Sequence, residues 1–202
     1  MSDAQAQDLI ERIAEALMAG AVAIIPTDTV YGIAAALDRP DAIERLYEIK
    51  GRPAGKPIPV LVDGMETALR LSRDFPDDAR RLAAAFWPGA LTIVVQAREG
   101  LPKRCLGPGD TVGLRMPDHA DALALIRRCG GALAVTSANP SSQPETTNAD
   151  VARRTLGVDL VLDAGETPGG VASTVVDVTG EQPRILRHGA IVEAKIRDTL
   201  SS

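Results

Sequence analysis

Apolar residues recur along the chain at two spacings, which predict helices and strands in alternation. Leu9, Ile13 and Leu17 lie three to four residues apart, as on one face of a helix, and predict a helix over residues 4–19. Residues 21–26 form instead an unbroken apolar run, which has the length of a buried strand. The N-terminal part of the chain is therefore expected to form a helix followed by a strand.

The same two patterns continue to the C-terminus. Further helices are predicted over residues 41–50, 65–71, 77–86, 120–128, 148–156 and 192–200. Further strands are predicted over residues 31–37, 58–62, 91–97, 111–116, 132–137, 160–163, 174–178 and 184–187. Since helices alternate with short strands and tight turns join the last ones, we expect an α/β or mixed α+β fold. It would be a single twisted, open, mixed sheet flanked by helices, with residues 1–202 as one domain.

Composition and charge exclude some functions. Five of the 202 residues are aromatic, so the core must be built from Ala, Val, Leu and Ile, and a stacking platform for single-stranded nucleic acid is not expected. The net charge of −5 and the pI of about 5.1 argue against a nonspecific nucleic-acid binder. A local cationic pocket is still compatible with this acidic total.

Cysteine and histidine are scarce. Cys105 and Cys129 follow no metal-binding or CxxC spacing, which indicates a reduced, cytosolic protein. Because the chain has two histidines, a metal centre built from histidines or a Ser-His-Asp triad is not expected. The N-terminus does not resemble a signal peptide, and no apolar run approaches a membrane span. We expect a cytoplasmic protein without membrane contact.

Three cations lie within seven residues at the end of the second predicted helix: Lys50, Arg52 and Lys56. Lys50 has an ordinary explanation, because a cation in the last helical turn complements the helix dipole. Arg52 and Lys56 have none, and a loop stiffened by Pro53 suits a phosphate clamp. The segment is not a Walker A loop, and the chain contains no GxGxxG.

Other polar segments lie at the ends of predicted strands. Residues 26–32 offer hydroxyls and a carboxylate, and residues 136–140 offer small hydroxyl and amide groups; both could equally form simple turns. Arg115 interrupts an apolar strand, so it needs either an internal carboxylate or a bound anion. Gly169 and Gly170 permit close backbone approach before a strand.

Taken in order, seven motifs resemble the YrdC-like family of threonylcarbamoyl-AMP synthases, in its short single-domain form. They are PTDTVYG (26–32), KGRP (50–53), PGALT (88–92), GLRMP (113–117), TSAN (136–139), STVVD (173–177) and LRHG (186–189). The resemblance covers about residues 10–195.

The resemblance implies a nucleotidyltransferase that makes threonylcarbamoyl-AMP and pyrophosphate from L-threonine, bicarbonate and ATP. The product supplies a downstream tRNA-threonylcarbamoyl transferase machinery. ATP is implied as a substrate together with Mg²⁺, with no metal held directly by protein ligands. Weak RNA binding is a further expectation.

The resemblance also implies roles for particular residues. The catalytic set is Lys50, Arg52, Ser137 and Asn139. ATP binding adds Thr111 and Arg187 to these four. Threonine binding falls to Thr27, Arg115 and Ser173.

Two departures and two alternatives accompany this interpretation. Many relatives have a His in the stretch after KGRP, where residues 59–63 of this chain read PVLVD. Relatives often have Ser-Pro-Thr where this chain has Glu145-Thr146-Thr147, which adds a negative charge near the expected nucleotide site. An RNA-binding module of the same fold is one alternative. A related carbamoyl transferase is the other, although such domains normally lie in longer chains with zinc fingers.

Overall fold

The computed structural model describes residues 3–201, which form seven α-helices, a short 3₁₀ turn and ten strands. The helices are α1 (Asp3–Met18), α2 (Pro40–Lys50), α3 (Met65–Leu71), α4 (Asp77–Phe86), α5 (Ala120–Arg128), α6 (Ala149–Leu156) and α7 (Glu193–Ser201), and the 3₁₀ turn is Lys103–Cys105. The strands are β1 (Ala23–Ile25), β2 (Gly32–Ala36), β3 (Val60–Val62), β4 (Ser72–Asp74), β5 (Leu91–Ala97), β6 (Leu106–Gly107), β7 (Thr111–Arg115), β8 (Ala132–Ser137), β9 (Thr174–Asp177) and β10 (Arg184–Arg187).

All ten strands join one mixed sheet. Its main path runs β1-β2-β8-β3-β7-β5-β9-β10, while β4 pairs with β5 and β6 pairs with β7. The pairs β3/β7 and β5/β9 are parallel, and the other pairs are antiparallel. The expected open mixed sheet flanked by helices is thereby confirmed. That residues 1–202 are one domain stays a prediction.

Apolar side chains cover both faces of the sheet. On β1, Ile24 belongs to the larger hydrophobic cluster, whereas its neighbours Ala23 and Ile25 belong to the smaller one. This alternation follows from the period of two in a strand. Ile13 and Leu17 of α1 complete the smaller cluster, and both are fully buried. The apolar spacing of α1 was therefore a sound guide to its buried face.

The strand predicted over residues 160–163 is the clearest error. Val161 makes only an isolated parallel bridge to Ile24. The Ile24 amide donates to the Leu160 carbonyl at 2.8 Å, and the Leu162 amide donates to the Ile24 carbonyl at 2.9 Å. This segment lies beside the edge strand β1, which is its one partner strand. The pairing is limited to the isolated bridge, so the segment does not form a strand of its own.

Strands β4 and β6 were not predicted, because each has only two or three residues and neither is an apolar run. Such short segments show no measurable periodicity. No helix within residues 3–201 is long and apolar enough to cross a membrane.

Candidate functional site

A cleft with two lobes opens at the ends of β2, β7 and β8. The inner and outer lobes enclose about 590 and 660 Å³ of space, counted together with the open solvent at their mouths. The inner lobe is lined by Thr27, Thr29, Val30, Tyr31, Gly32, Arg52, Pro59, Leu61, Thr92, Arg115, Val135, Thr136, Ser137, Glu145, Ala172, Ser173 and Arg187. The outer lobe is lined by Lys50, Arg52, Lys56, Ser137, Asn139, Ser141, Ser142, Gln143, Pro144 and Glu145. Since Arg52, Ser137 and Glu145 line both, the two lobes adjoin.

Thr27 closes the turn between β1 and β2. Its hydroxyl donates to the Val30 carbonyl at 2.7 Å and accepts from the amides of Thr29 at 3.1 Å and Val30 at 3.2 Å. The Oγ1 atoms of Thr27 and Thr29 are also 2.9 Å apart. Thr27 therefore forms the turn and also lines the inner lobe. Its role in the turn is compatible with a role in binding.

Arg115 ends β7 as a buried cation of the inner lobe, with a side chain 7% exposed. Its Nη2 donates to Asp28 Oδ1 at 2.6 Å, its Nη1 to Thr29 Oγ1 at 3.1 Å, and its Nε to the Gly89 carbonyl at 2.9 Å. Burial lowers the pKa of the guanidinium and the charge of Asp28 opposes that effect. Of the two partners considered for this arginine, the internal carboxylate exists and the bound anion stays a prediction, while the residue also lines the lobe.

Ser173 lies across the inner lobe and is 4% exposed. Its hydroxyl is 2.8 Å from Thr92 Oγ1 and accepts from Arg187 Nη2 at 3.1 Å. Arg187 also donates through Nε and Nη2 to the Ser173 carbonyl, at 3.0 and 2.8 Å. The predicted threonine and nucleotide residues thus meet in one network, in which Thr92 was not foreseen. Its place in the PGALT motif was the available signal.

Lys50 is a buried cation of the outer lobe, only 3% exposed. Its ammonium donates to the carbonyls of Ser137 and Asn139, and to Asn139 Oδ1 at 3.3 Å. Burial and, to a smaller extent, the charge of Arg52 lower its pKa to about 8, and the charge of Glu145 partly opposes them. Lys50 therefore ties the end of α2 to the loop after β8.

Arg52 follows the end of α2. Gly51 terminates that helix in the left-handed region, at φ 57°. The Arg52 guanidinium donates to the carbonyls of Lys56 at 2.9 Å and Pro57 at 2.8 Å, and to Thr136 Oγ1 at 3.3 Å. Tyr47 Oη donates to the same Lys56 carbonyl at 2.6 Å, which fixes this loop against α2. Arg52 is thus a prearranged cation between the lobes.

Asn139 and Ser137 complete the predicted tetrad. Asn139 Nδ2 donates to the carbonyls of Gln143 at 2.6 Å and Pro140 at 3.2 Å, so this side chain shapes the loop of the outer lobe. Ser137 is half-buried and lines both lobes. The structure therefore brings Lys50, Arg52 and both of these residues together.

Thr111 is the one predicted site residue that lines neither lobe. It begins β7, four residues before Arg115, and its hydroxyl donates to the Pro108 carbonyl at 3.2 Å. A nucleotide contact of Thr111 stays a prediction. Glu145 lines both lobes and supplies the negative charge that the sequence suggested there.

The cleft is equipped to bind anions and to hold two ligands side by side. Fixed guanidinium and ammonium groups suit carboxylate and phosphate oxygens, while threonine and serine hydroxyls suit a small polar molecule. Among residues 3–201, no group of three or more His, Cys, Asp or Glu side chains is arranged to hold a metal ion.

Comparisons with known proteins agree with this geometry. A family model of Sua5, YciO and YrdC, described as "Telomere recombination", matches residues 15–189. A putative threonylcarbamoyl-AMP synthase of Mycobacterium tuberculosis (strain H37Rv) is 42% identical over 187 residues, 92% of this chain and 86% of that protein. The threonylcarbamoyl-AMP synthase of Pyrococcus abyssi is 42% identical over 175 residues, 85% of this chain. The chain spans 51% of that archaeal relative.

Solved structures extend the likeness to three dimensions. Sua5 of P. abyssi, crystallised with L-threonine, superimposes with a TM-score of 0.90 at 37% identity, over 94% of this chain and 56% of that chain. Escherichia coli YciO gives a TM-score of 0.84 at 27% identity, over 94% and 93%. The fold and the cleft define a mixed α/β protein with a two-lobed cleft that is lined by fixed cations and hydroxyl groups. The chain belongs to the Sua5/YciO/YrdC family.

Proposed function

We propose that this protein is a threonylcarbamoyl-AMP synthase. It would convert L-threonine, bicarbonate and ATP into threonylcarbamoyl-AMP, pyrophosphate and water. Relatives at 42% identity carry this name, and a structural relative was crystallised with L-threonine. The observation that carries the proposal is that a lobe around Arg115 adjoins a cationic lobe around Lys50 and Arg52.

The inner lobe is suited to threonine. Arg115 retains two of its five N–H groups for the substrate carboxylate, because three are used by protein acceptors. Thr27 and Ser173 offer hydroxyls nearby, and Pro59 and Leu61 offer an apolar wall. The bound amino acid would then present its amine toward the junction of the lobes.

The outer lobe is suited to the phosphates of ATP. Lys50 and Arg52 would neutralise phosphate charge, Ser137 and Asn139 would shape the oxygen sites, and Arg187 would face the same region. The neutral amine of threonine combines with bicarbonate to give a carbamate and water. A carbamate oxygen then bonds to the α-phosphorus as the bond to the β-phosphate bridging oxygen breaks, and pyrophosphate leaves.

Positioning and charge neutralisation suffice for such a transfer. No protein nucleophile is required, which fits a cleft lined by hydroxyls and cations rather than by a triad. Bound with ATP, Mg²⁺ would supply further neutralisation at the phosphates. The Ser137 hydroxyl and the Glu145 carboxylate are hard oxygen donors suited to that ion or its waters.

The product is a reactive mixed anhydride, so a tRNA-threonylcarbamoyl transferase machinery in the cytoplasm is the proposed consumer. Direct RNA binding is the weaker part of the proposal. An RNA affinity that falls steeply with salt would support it, because phosphate contacts release counterions.

Pyrophosphate release by the purified protein tests the function. With ATP, Mg²⁺ and bicarbonate, release should begin only when L-threonine is added. Release without threonine would indicate another carbamoyl or nucleotidyl transfer, and no release under any condition would overturn the proposal. Lys103→Met is a matched control, because Lys103 is exposed and lines neither lobe.

A further inference from the structure

The carboxylate of Asp28 lies against the cation proposed to bind threonine. Asp28 Oδ1 accepts from Arg115 Nη2 at 2.6 Å and from the Asp118 amide at 3.0 Å. Its side chain is 14% exposed, and Asp28 is not among the residues that line either lobe. It therefore contacts Arg115 without itself lining the cleft.

Asp28 does not assist by charge. A carboxylate this close cancels part of the field of the guanidinium, and so weakens its attraction for a second carboxylate. What Asp28 supplies is orientation. With Gly89 and Thr29 it gives Arg115 three separate acceptors, one for each guanidinium nitrogen. A guanidinium group that donates from all three nitrogens cannot rotate about the terminal bonds of the arginine side chain without breaking a hydrogen bond.

The contact to Asp118 extends this effect to the backbone. Asp118 lies three residues after Arg115, beyond the end of β7. One oxygen of Asp28 therefore fixes both the head of the arginine and the segment that follows its strand. Asp28 lies in the turn closed by Thr27, so hydrogen bonds connect the turn, the arginine and the segment after the strand.

We propose that Asp28 is a positioning residue for the amino-acid substrate: it sets the rotation of the Arg115 guanidinium, so that its two remaining N–H groups meet a carboxylate in bidentate geometry. This inference rests on the proposed function and deepens it. Asp28 would thus determine the geometry in which threonine binds, and it would not contribute to the charge that attracts the substrate.

Two variants of Asp28 separate geometry from charge. Asp28→Ala removes the acceptor, and Asp28→Asn keeps a carbonyl oxygen while removing the charge. Asp78→Ala is the matched control, since Asp78 also pairs with an arginine at 2.6 Å, on the exposed surface of α4. The readouts are the KM for L-threonine, the KM for ATP and the thermal unfolding midpoint.

We expect Asp28→Ala to raise the threonine KM about tenfold or more, because misplacing a positioning group loses binding geometry. The ATP KM should stay within about twofold of wild type, because the cations of the outer lobe do not contact Asp28. Asp28→Asn should restore the threonine KM to within about threefold. Asp78→Ala should change neither constant.

Three results would overturn the inference. They are an unchanged threonine KM in folded Asp28→Ala, an equal rise of both KM values, and an Asp28→Asn variant as impaired as Asp28→Ala. If Asp28→Ala does not fold, the Asn variant alone decides, since a threonine KM raised more than about tenfold would contradict positioning by a carbonyl acceptor. Failure of the wild-type protein to use threonine would instead contradict the proposed function.

Discussion

Nucleotide binding should weaken as the pH rises above about 8, because Lys50 loses its proton there. This residue is 3% exposed, and burial holds the pKa of its ammonium at about 8 rather than the ordinary 10.5. The charged form donates to two carbonyls and to Asn139 Oδ1. A neutral amine has only two N–H groups for these three acceptors and brings no charge to the phosphates.

The size of the effect follows from linkage. If bound phosphate holds the ammonium charged, affinity falls tenfold for each pH unit above 8, and by pH 9.5 it should be about 30-fold lower than at pH 7.

The stability of the folded protein should change in the opposite direction. Because folding lowers the pKa, the unfolded chain binds more protons between pH 8 and 10.5, so the free energy of unfolding contributed by Lys50 rises across that window, by about 3 kcal/mol in all.

Calorimetric titration with a non-hydrolysable ATP analogue from pH 7 to 10 measures this directly, and avoids the titration of the threonine amine. Lys50→Met should bind weakly and without the pH dependence, while Lys103→Met should follow the wild type. A wild-type affinity that stays level to pH 9.5, or a Lys50→Met variant with the same slope, would refute the reasoning.

Three further changes test other parts of the structure. Gly169→Ala should raise the threonine KM, because a Cβ there would lie 2.7 Å from Thr29 Cα and displace the inner-lobe turn; an unchanged KM would show that the loop yields. Leu46→Ala, at a fully buried position of α2, should lower the free energy of unfolding by about 2–5 kcal/mol in denaturant titration, and a loss below about 1 kcal/mol would contradict the packing. Cys105 and Cys129 should resist iodoacetamide at pH 8 in the folded protein, because burial raises their pKa values to about 12 and about 11; rapid labelling would disprove their burial.

The hydrophobic pattern was sufficient to predict the fold class and most elements. Residues 91–97 and 132–137 were predicted as strands with the bounds that β5 and β8 have in the structure. Strand order could not be predicted, because β8 lies between β2 and β3 through pairings of residues far apart in the chain, such as Ala34 with Val135 and Leu61 with Leu133. Residues 160–163 show the other limit, since an apolar run marks burial and does not reveal how many partners its backbone has.

The site was predictable in its residue types more than in its contacts. Lys50 had a local explanation as a helix-end cation, yet its ammonium binds carbonyls 87 and 89 residues away. For Arg115 the internal carboxylate and the bound anion were alternatives from the sequence. In the structure, Asp28 accepts from one nitrogen of the guanidinium and Arg115 also lines the cleft, so the internal carboxylate exists and the bound anion stays a prediction. Only the folded chain places Asp28 within 2.6 Å of that arginine.

The most direct test of the central claim is the fate of bicarbonate carbon. The purified protein is incubated with ATP, Mg²⁺, L-threonine and ¹³C-labelled bicarbonate, and the adenylate product is examined by mass spectrometry before it hydrolyses. We expect an adenylate that contains both threonine and the labelled carbon, formed together with an equal amount of pyrophosphate. An adenylate without the label, or pyrophosphate without any adenylate that contains threonine, would contradict a threonylcarbamoyl-AMP synthase.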